Sequence, residues 1–140
     1  MTKAAIPSAI IVYGLLALAG HANAEKLSGL PSLQGAWVEQ SMNCEQVFRP
    51  TKRSMAFRKD VSVFAPAFII SGRRIATPGA SCTINRISYK AERMILNLGC
   101  TTTIATSPVK AYLSVSNDGA VYRYNDDVET AGSKYNSCKP

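Results

Sequence analysis

The sequence predicts an all-β fold, a small antiparallel barrel of about eight strands that follows a cleaved leader. Three observations carry this expectation. Beyond residue 34 apolar residues recur with period two rather than 3.6. The runs are short and separated by turn residues: Pro50, Asp60, Gly72, Pro78-Gly79, the loop at Lys90, Pro108, Asp118-Gly119 and Asp126 to Gly132. No segment after Glu25 carries helical periodicity. About eight strands with polar outer faces suit a barrel or a sandwich, and a barrel is expected here.

Residues 1–24 read as a signal peptide. Lys3 supplies a positive charge, and an apolar run extends from Ala4 to Ala19. Ala22-Asn23-Ala24 is the small-x-small pattern of a cleavage site, so cleavage is expected between Ala24 and Glu25. The run falls short of the roughly 20 residues of a membrane span, and no Lys/Arg cluster stops it. The chain is therefore not expected to span a membrane. Glu25 to Gln34, with Gly29, Pro31 and two serines, reads as a lead-in, and residues 35–140 as one domain.

Phe64-Ala65-Pro66-Ala67-Phe68-Ile69-Ile70 is the most apolar mature stretch. Pro66 lacks an N–H for a ladder, which places it at an edge or bulge. The stretch is expected to be buried, with a barrel mouth as the alternative. Phe68-Ile69-Ile70 and Arg74-Ile75-Ala76 flank Ser71-Gly72-Arg73, a hairpin turning at Gly72. Cys82 to Tyr89 and Met94 to Cys100 flank Lys90 to Arg93, a second hairpin. Met94 to Ala105 alternates most clearly and is expected as one long, half-buried strand. Ala111, Leu113 and Val115 repeat the pattern. Asn117-Asp118-Gly119, ahead of Val121, is the firmest turn signal, because Asp-Gly tolerates positive φ.

All four cysteines lie in the mature piece, at spacings of 38, 18 and 38 residues. Such spacings lack the close pairs of a zinc site, whereas an even count in a short exported chain reads as disulfides. Three pairings are open. The second hairpin brings Cys82 almost opposite Cys100, and elimination then joins Cys44 to Cys138. A sheet that closes on itself brings its first and last strands together, which suits the second bridge.

The chain carries a net charge of +7. A basic envelope protein is drawn to anionic partners, although such a charge also simply maintains solubility. Removal of His21 with the leader leaves no histidine, which excludes Ser-His-Asp and Cys-His machinery. Ser107-Pro108-Val109-Lys110 spells Ser-x-x-Lys, but that motif needs a helix and Pro108 interrupts a β region. Asp126, Asp127 and Glu129 lack the ligand spacing and central glycine of a calcium loop and read as a solvated acidic loop. No cofactor, metal or enzyme activity is expected.

Arg49, Lys52, Arg53, Arg58 and Lys59 alternate with Phe48 and Phe57, and Arg73-Arg74 crown another turn. Together they are a candidate surface for phosphate or carboxylate. Nucleic acid is not an expected partner of an exported protein.

Gly35-Ala36-Trp37, at the head of the first strand, resembles the Gly-x-Trp signature of lipocalins. It is also similar to the opening of bacterial metalloprotease inhibitors of the lipocalin-like type, in which a cysteine soon follows. In lipocalins this tryptophan plugs one end of an eight-stranded barrel and an arginine from a late strand packs across it. The resemblance implies that role for Trp37 and for Arg123, in Val121-Tyr122-Arg123-Tyr124. The inhibitors insert their mature N-terminal segment into the enzyme's cleft, a part the resemblance gives to Glu25–Gln34.

The functional expectation is a periplasmic or secreted, non-catalytic binding or interaction module for an amphiphilic or anionic ligand. Envelope lipid, anionic polysaccharide and an exported protease are the partners considered. A protease inhibitor and a structural or envelope-stress protein are the alternatives.

Overall fold

A computed structural model describes residues 29–140. The expected leader, its expected cleavage point at Ala24–Glu25 and the first residues of the lead-in lie outside the described residues.

Among the described residues ten strands form: β1 Gly35–Glu39, β2 Phe48–Pro50, β3 Met55–Phe57, β4 Ala67–Ser71, β5 Arg74–Thr77, β6 Ala80–Lys90, β7 Arg93–Thr101, β8 Thr106–Val115, β9 Val121–Tyr124 and β10 Ser133–Cys138. Eight of them close an antiparallel barrel in the order β1-β10-β9-β8-β7-β6-β5-β4, while β2 and β3 make a separate two-stranded sheet. Period-two sequence gives this closure directly. Along β7, Met94, Leu96, Leu98 and Cys100 are buried and the residues between them are half-buried. The first and last strands meet, Ala36 opposite Cys138 and Glu39 opposite Tyr135.

One end of the barrel is plugged. The lead-in forms a 3-10 turn, Leu30–Leu33, with Pro31 in its first turn and Leu30 and Leu33 buried in the core. Trp37, also buried, donates its indole N–H to the Leu33 carbonyl at 2.8 Å and stacks on Phe68 at 6.4 Å. The Gln34 carboxamide ties the plug to the β4–β5 turn, accepting the Gly72 N–H at 2.7 Å and donating to the Gly72 carbonyl at 3.1 Å.

A second core lies outside the barrel. β1 is buried on both faces: Trp37 points in, while Ala36 and Val38 pack outward against Val47, Phe48, Ala67 and Cys138. The excursion between β1 and β4 supplies this cover, with a short helix α1, Cys44–Val47, followed by β2 and β3. The Gln46 side chain accepts the Asn43 N–H at 2.9 Å at the start of that helix. A disulfide from Cys44 to Cys138 fastens the excursion to β10, and a second joins Cys82 to Cys100 directly across the β6–β7 ladder.

Three local expectations are corrected. β7 stops at Thr101 instead of running to Ala105. The Thr102 N–H donates to the Ala105 carbonyl at 2.9 Å, and the Thr102 hydroxyl accepts the Ala105 N–H at 3.2 Å, so a side chain closes a turn inside an alternating run. Pro108 does not separate strands; it lies within β8, opposite Gly99. It is tolerated because β9 reaches along β8 only as far as Tyr112, leaving the first half of β8 with a free edge. Finally, the apolar stretch from Phe64 is divided: Ala67, Phe68 and Ile70 are buried, but Phe64 is 90% exposed.

Candidate functional site

The barrel interior is filled only at the plugged end. Above that layer lies a cavity of about 440 Å³, within the range of roughly 300–1,000 Å³ occupied by small-molecule sites. Its walls are largely apolar: Phe68, Ile70 and Ile75 from β4 and β5, Leu96 and Leu98 from β7, Leu113 from β8, and the Cys82–Cys100 disulfide. Its opening is framed by residues 63–66 ahead of β4 and Ala67 at its start, by Thr77 and Ala80 at the β5–β6 turn, and by Thr102 and Ser107 around the β7–β8 turn. The free edge of β8 continues this opening along the wall, and Val109, whose alternation points it inward, is 42% exposed there.

Six polar residues interrupt the apolar lining: Thr77, Thr102, Ser107, Lys110, Arg123 and Tyr135. Arg123 lies on β9 opposite Leu113 and Ser133, on the same face as buried Val121, and lines the cavity. Among the described residues its guanidinium has no ion-pair, hydrogen-bond or cation–π partner. Tyr135, packed against Phe68 at 5.2 Å, lines the same space. Its hydroxyl likewise has no hydrogen-bond partner among the described residues, yet no side-chain polar atom is sealed away unsatisfied. The hydroxyl is therefore reachable from the cavity.

No cation–π contact joins Arg123 to Trp37. Trp37 is held by Leu33 and Phe68, and Arg123 belongs to the cavity wall. The cation stacked on an aromatic ring is instead Arg93, 3.6 Å above the Tyr124 ring on the outer face. Arg93 also donates to the carbonyls of Asp126 and Glu129, at 3.1 and 2.6 Å, folding the β9–β10 loop back over the barrel wall.

The acidic loop spends its carboxylates on itself and on that wall. Asp126 accepts the N–H groups of Val128 and Glu129, Glu129 accepts the Asn125 backbone and side-chain N–H groups, and Asp127 pairs with Lys90 at 2.6 Å. The Lys90 ammonium holds the Asp127 carboxyl below its ordinary value.

The seven basic residues of the candidate anion surface fall on two elements. Arg49, Lys52, Arg53, Arg58 and Lys59 belong to the β2–β3 excursion, where Arg58 pairs with Asp60 at 3.2 Å. Asp60's carboxyl is lowered by its own backbone N–H and then by Arg58. Arg73 and Arg74 sit at the β4–β5 hairpin. Arg73 donates to the Ile84 carbonyl at 2.8 Å and to the Asn85 carbonyl at 3.3 Å, where the β6–β7 register shifts, and Arg74 donates to Ser81 at 3.2 Å. Phe48 and Phe57, expected to alternate with the basic residues on a surface, stack on each other at 5.2 Å in the outer core. Ser107 and Lys110 lie on an extended strand, three residues apart, and so face opposite sides.

No known protein family, curated protein or solved structure matches this chain. Among the described residues no group of three or more His, Cys, Asp or Glu is arranged to hold a metal ion, and no helix is long and apolar enough to cross a membrane.

Proposed function

We propose that this protein is an exported, non-catalytic binding module whose barrel takes up the apolar part of an amphiphilic anion. The single observation that carries the reading is Arg123, an unpaired guanidinium on the wall of a largely apolar cavity that Lys110 also lines. Arg123 is exposed to solvent at the cavity wall, so its guanidinium is reachable from outside, and a guanidinium receives a carboxylate or phosphate through two parallel N–H bonds. Tyr135 offers a second donor to the same head group. The apolar walls suit a single alkyl or similar chain, entering beside residues 63–67 and the edge of β8.

The lipocalin resemblance supports this reading: Gly35-Ala36-Trp37 opens β1 of a closed eight-stranded barrel plugged at the tryptophan end. Two disulfides that use all four cysteines fit a periplasmic or secreted location. Protease inhibition through residues 25–34 is less favoured. Leu30 and Leu33 would have to leave the core, at about 1.5–3 kcal/mol each.

Native mass spectrometry of the protein recovered from its own periplasm tests the proposal. A bound acyl-type anion, exchangeable for added long-chain fatty acid, is the expected result. Repeated recovery of ligand-free protein that also ignores added fatty acid overturns it.

A further inference from the structure

Phe64 and Ile104 are 90% and 92% exposed. They come from different connections, the segment ahead of β4 and the β7–β8 turn, yet both belong to the open end of the barrel, where Val63, Phe64 and Thr102 frame the cavity. Neither is carried on loose chain. The Ser62 hydroxyl accepts the Phe64 N–H at 3.2 Å and the Ala65 N–H donates to the Ser62 carbonyl at 3.0 Å, while Thr102 and Ala105 clamp the turn that presents Ile104. Two ordered turns thus hold large apolar side chains in solvent on either side of one opening.

We infer that this open end is a membrane-docking face, with Phe64 and Ile104 entering the bilayer and the cavity mouth brought against the lipid. The inference rests on the proposed binding of an amphiphile, because a mouth pressed to a bilayer lets such a ligand pass without crossing water. A second copy of the chain fits the face poorly. One aromatic and one aliphatic side chain cover at most about 300–400 Å² in all, whereas a stable protein interface needs roughly 800 Å² from each partner. Projecting side chains around an opening suit a fluid surface better than a shaped one. The charge favours an anionic bilayer: residues 25–140, without Lys3, carry +6, and Lys59, Lys110 and Arg123 have no acidic partner among the described residues.

The test is co-sedimentation of the full mature protein with vesicles of phosphatidylethanolamine and phosphatidylglycerol, alongside a Phe64→Ser/Ile104→Ser double variant. Both positions are exposed, so the variant keeps its fold, and circular dichroism checks that it does. The variant is expected to lose vesicle binding at least about tenfold, and added salt or pure phosphatidylcholine is expected to weaken the wild type. Unchanged sedimentation overturns the inference. So does a wild-type dimer that the double variant dissolves in sedimentation equilibrium, which would make the face a contact between copies. Titration of a fluorescent fatty acid in solution, without vesicles, against an Ile104→Ser single variant separates this inference from the cavity proposal, because Ile104 does not line the cavity. The single variant is expected to weaken vesicle binding and keep wild-type fatty-acid affinity, and loss of the fatty acid together with the vesicles would mean that Ile104 holds ligand rather than meets lipid.

Discussion

Arg123 stands directly opposite Leu113 across the β8–β9 ladder, so a guanidinium shares a barrel wall with apolar side chains. Lys110 of β8 lines the same cavity, so two cations stand beside an apolar interior, and departures of this kind from the alternation rule gather at functional places.

Replacing Arg123 by Leu separates the two roles. Arg123→Leu is expected to leave the fold as stable as before, within about 1 kcal/mol, because no partner is orphaned. The same change should weaken dodecanoate binding about 10- to 100-fold, the worth of hydrogen bonds to a charged group, and leave dodecanol unaffected. Denaturant midpoints and parallel titrations of the two ligands check this.

The two disulfides should contribute unequally. Cys44–Cys138 closes a separation of 94 residues and Cys82–Cys100 one of 18. Loop entropy alone gives about 4–5 kcal/mol for the first and about 3 for the second. The Cys44→Ala/Cys138→Ala protein should therefore unfold at lower denaturant than the Cys82→Ala/Cys100→Ala protein, as equilibrium unfolding would show.

Gly132 lies against the Tyr124 ring. A Cβ there would meet ring atoms at 2.7, 2.9 and 3.0 Å, while Arg93 covers the same ring 3.6 Å from its centre and the Tyr124 hydroxyl shares a hydrogen bond with Ser114 at 3.0 Å. A ring held this way gives little room, so Gly132→Ala is expected to destabilise by about 1–3 kcal/mol. Thermal unfolding of Gly132→Ala beside Gly132→Ala/Tyr124→Ala tests it, since removing the ring should relieve the clash.

The β8–β9 turn is acid-sensitive. The Ser116 hydroxyl donates to the Asp118 carboxylate, as do the Ala120 N–H and, at 3.4 Å, the Lys134 ammonium. These bonds, Ser116's first, hold the carboxyl at about 2 rather than 3.8. A carboxyl lowered on folding stabilises the fold when ionised, so the contribution is complete above about pH 4 and is lost as pH falls toward 2. Asp118→Asn should flatten the acid limb of stability against pH over that window, measured by denaturant midpoints, and leave the neutral region sloping as before.

Elements set by local chemistry were legible in the sequence. The Cys82–Cys100 bridge follows from a hairpin whose arms and turn are both written in residues 82–100, and the positive φ at Gly72 and Gly119 falls where those turns were expected. What depends on a partner far along the chain was not legible. Phe48 and Phe57 look like surface aromatics among arginines until β1, with Ala36 and Val38 on its outer face, gives them something to cover. Pro108 looks like a strand breaker until β9 proves too short to need its missing N–H. Phe64 is indistinguishable by composition from Phe68, and only closure of the barrel sends one inward and the other into solvent. Arg123 carried a period-two signal shared with Val121 and Leu113, which would have placed it inside, but nothing local shows that its charge is left unpaired there.

Occupation of the barrel is read most directly by methyl NMR during titration with dodecanoate. Saturable shifts at Ile75, Leu96, Leu98 and Leu113, accompanied by a shift of the Arg123 Nε–H, are the expected result. Shifts confined to outward-facing methyls such as Val128, with the interior methyls and Arg123 unmoved, would contradict it.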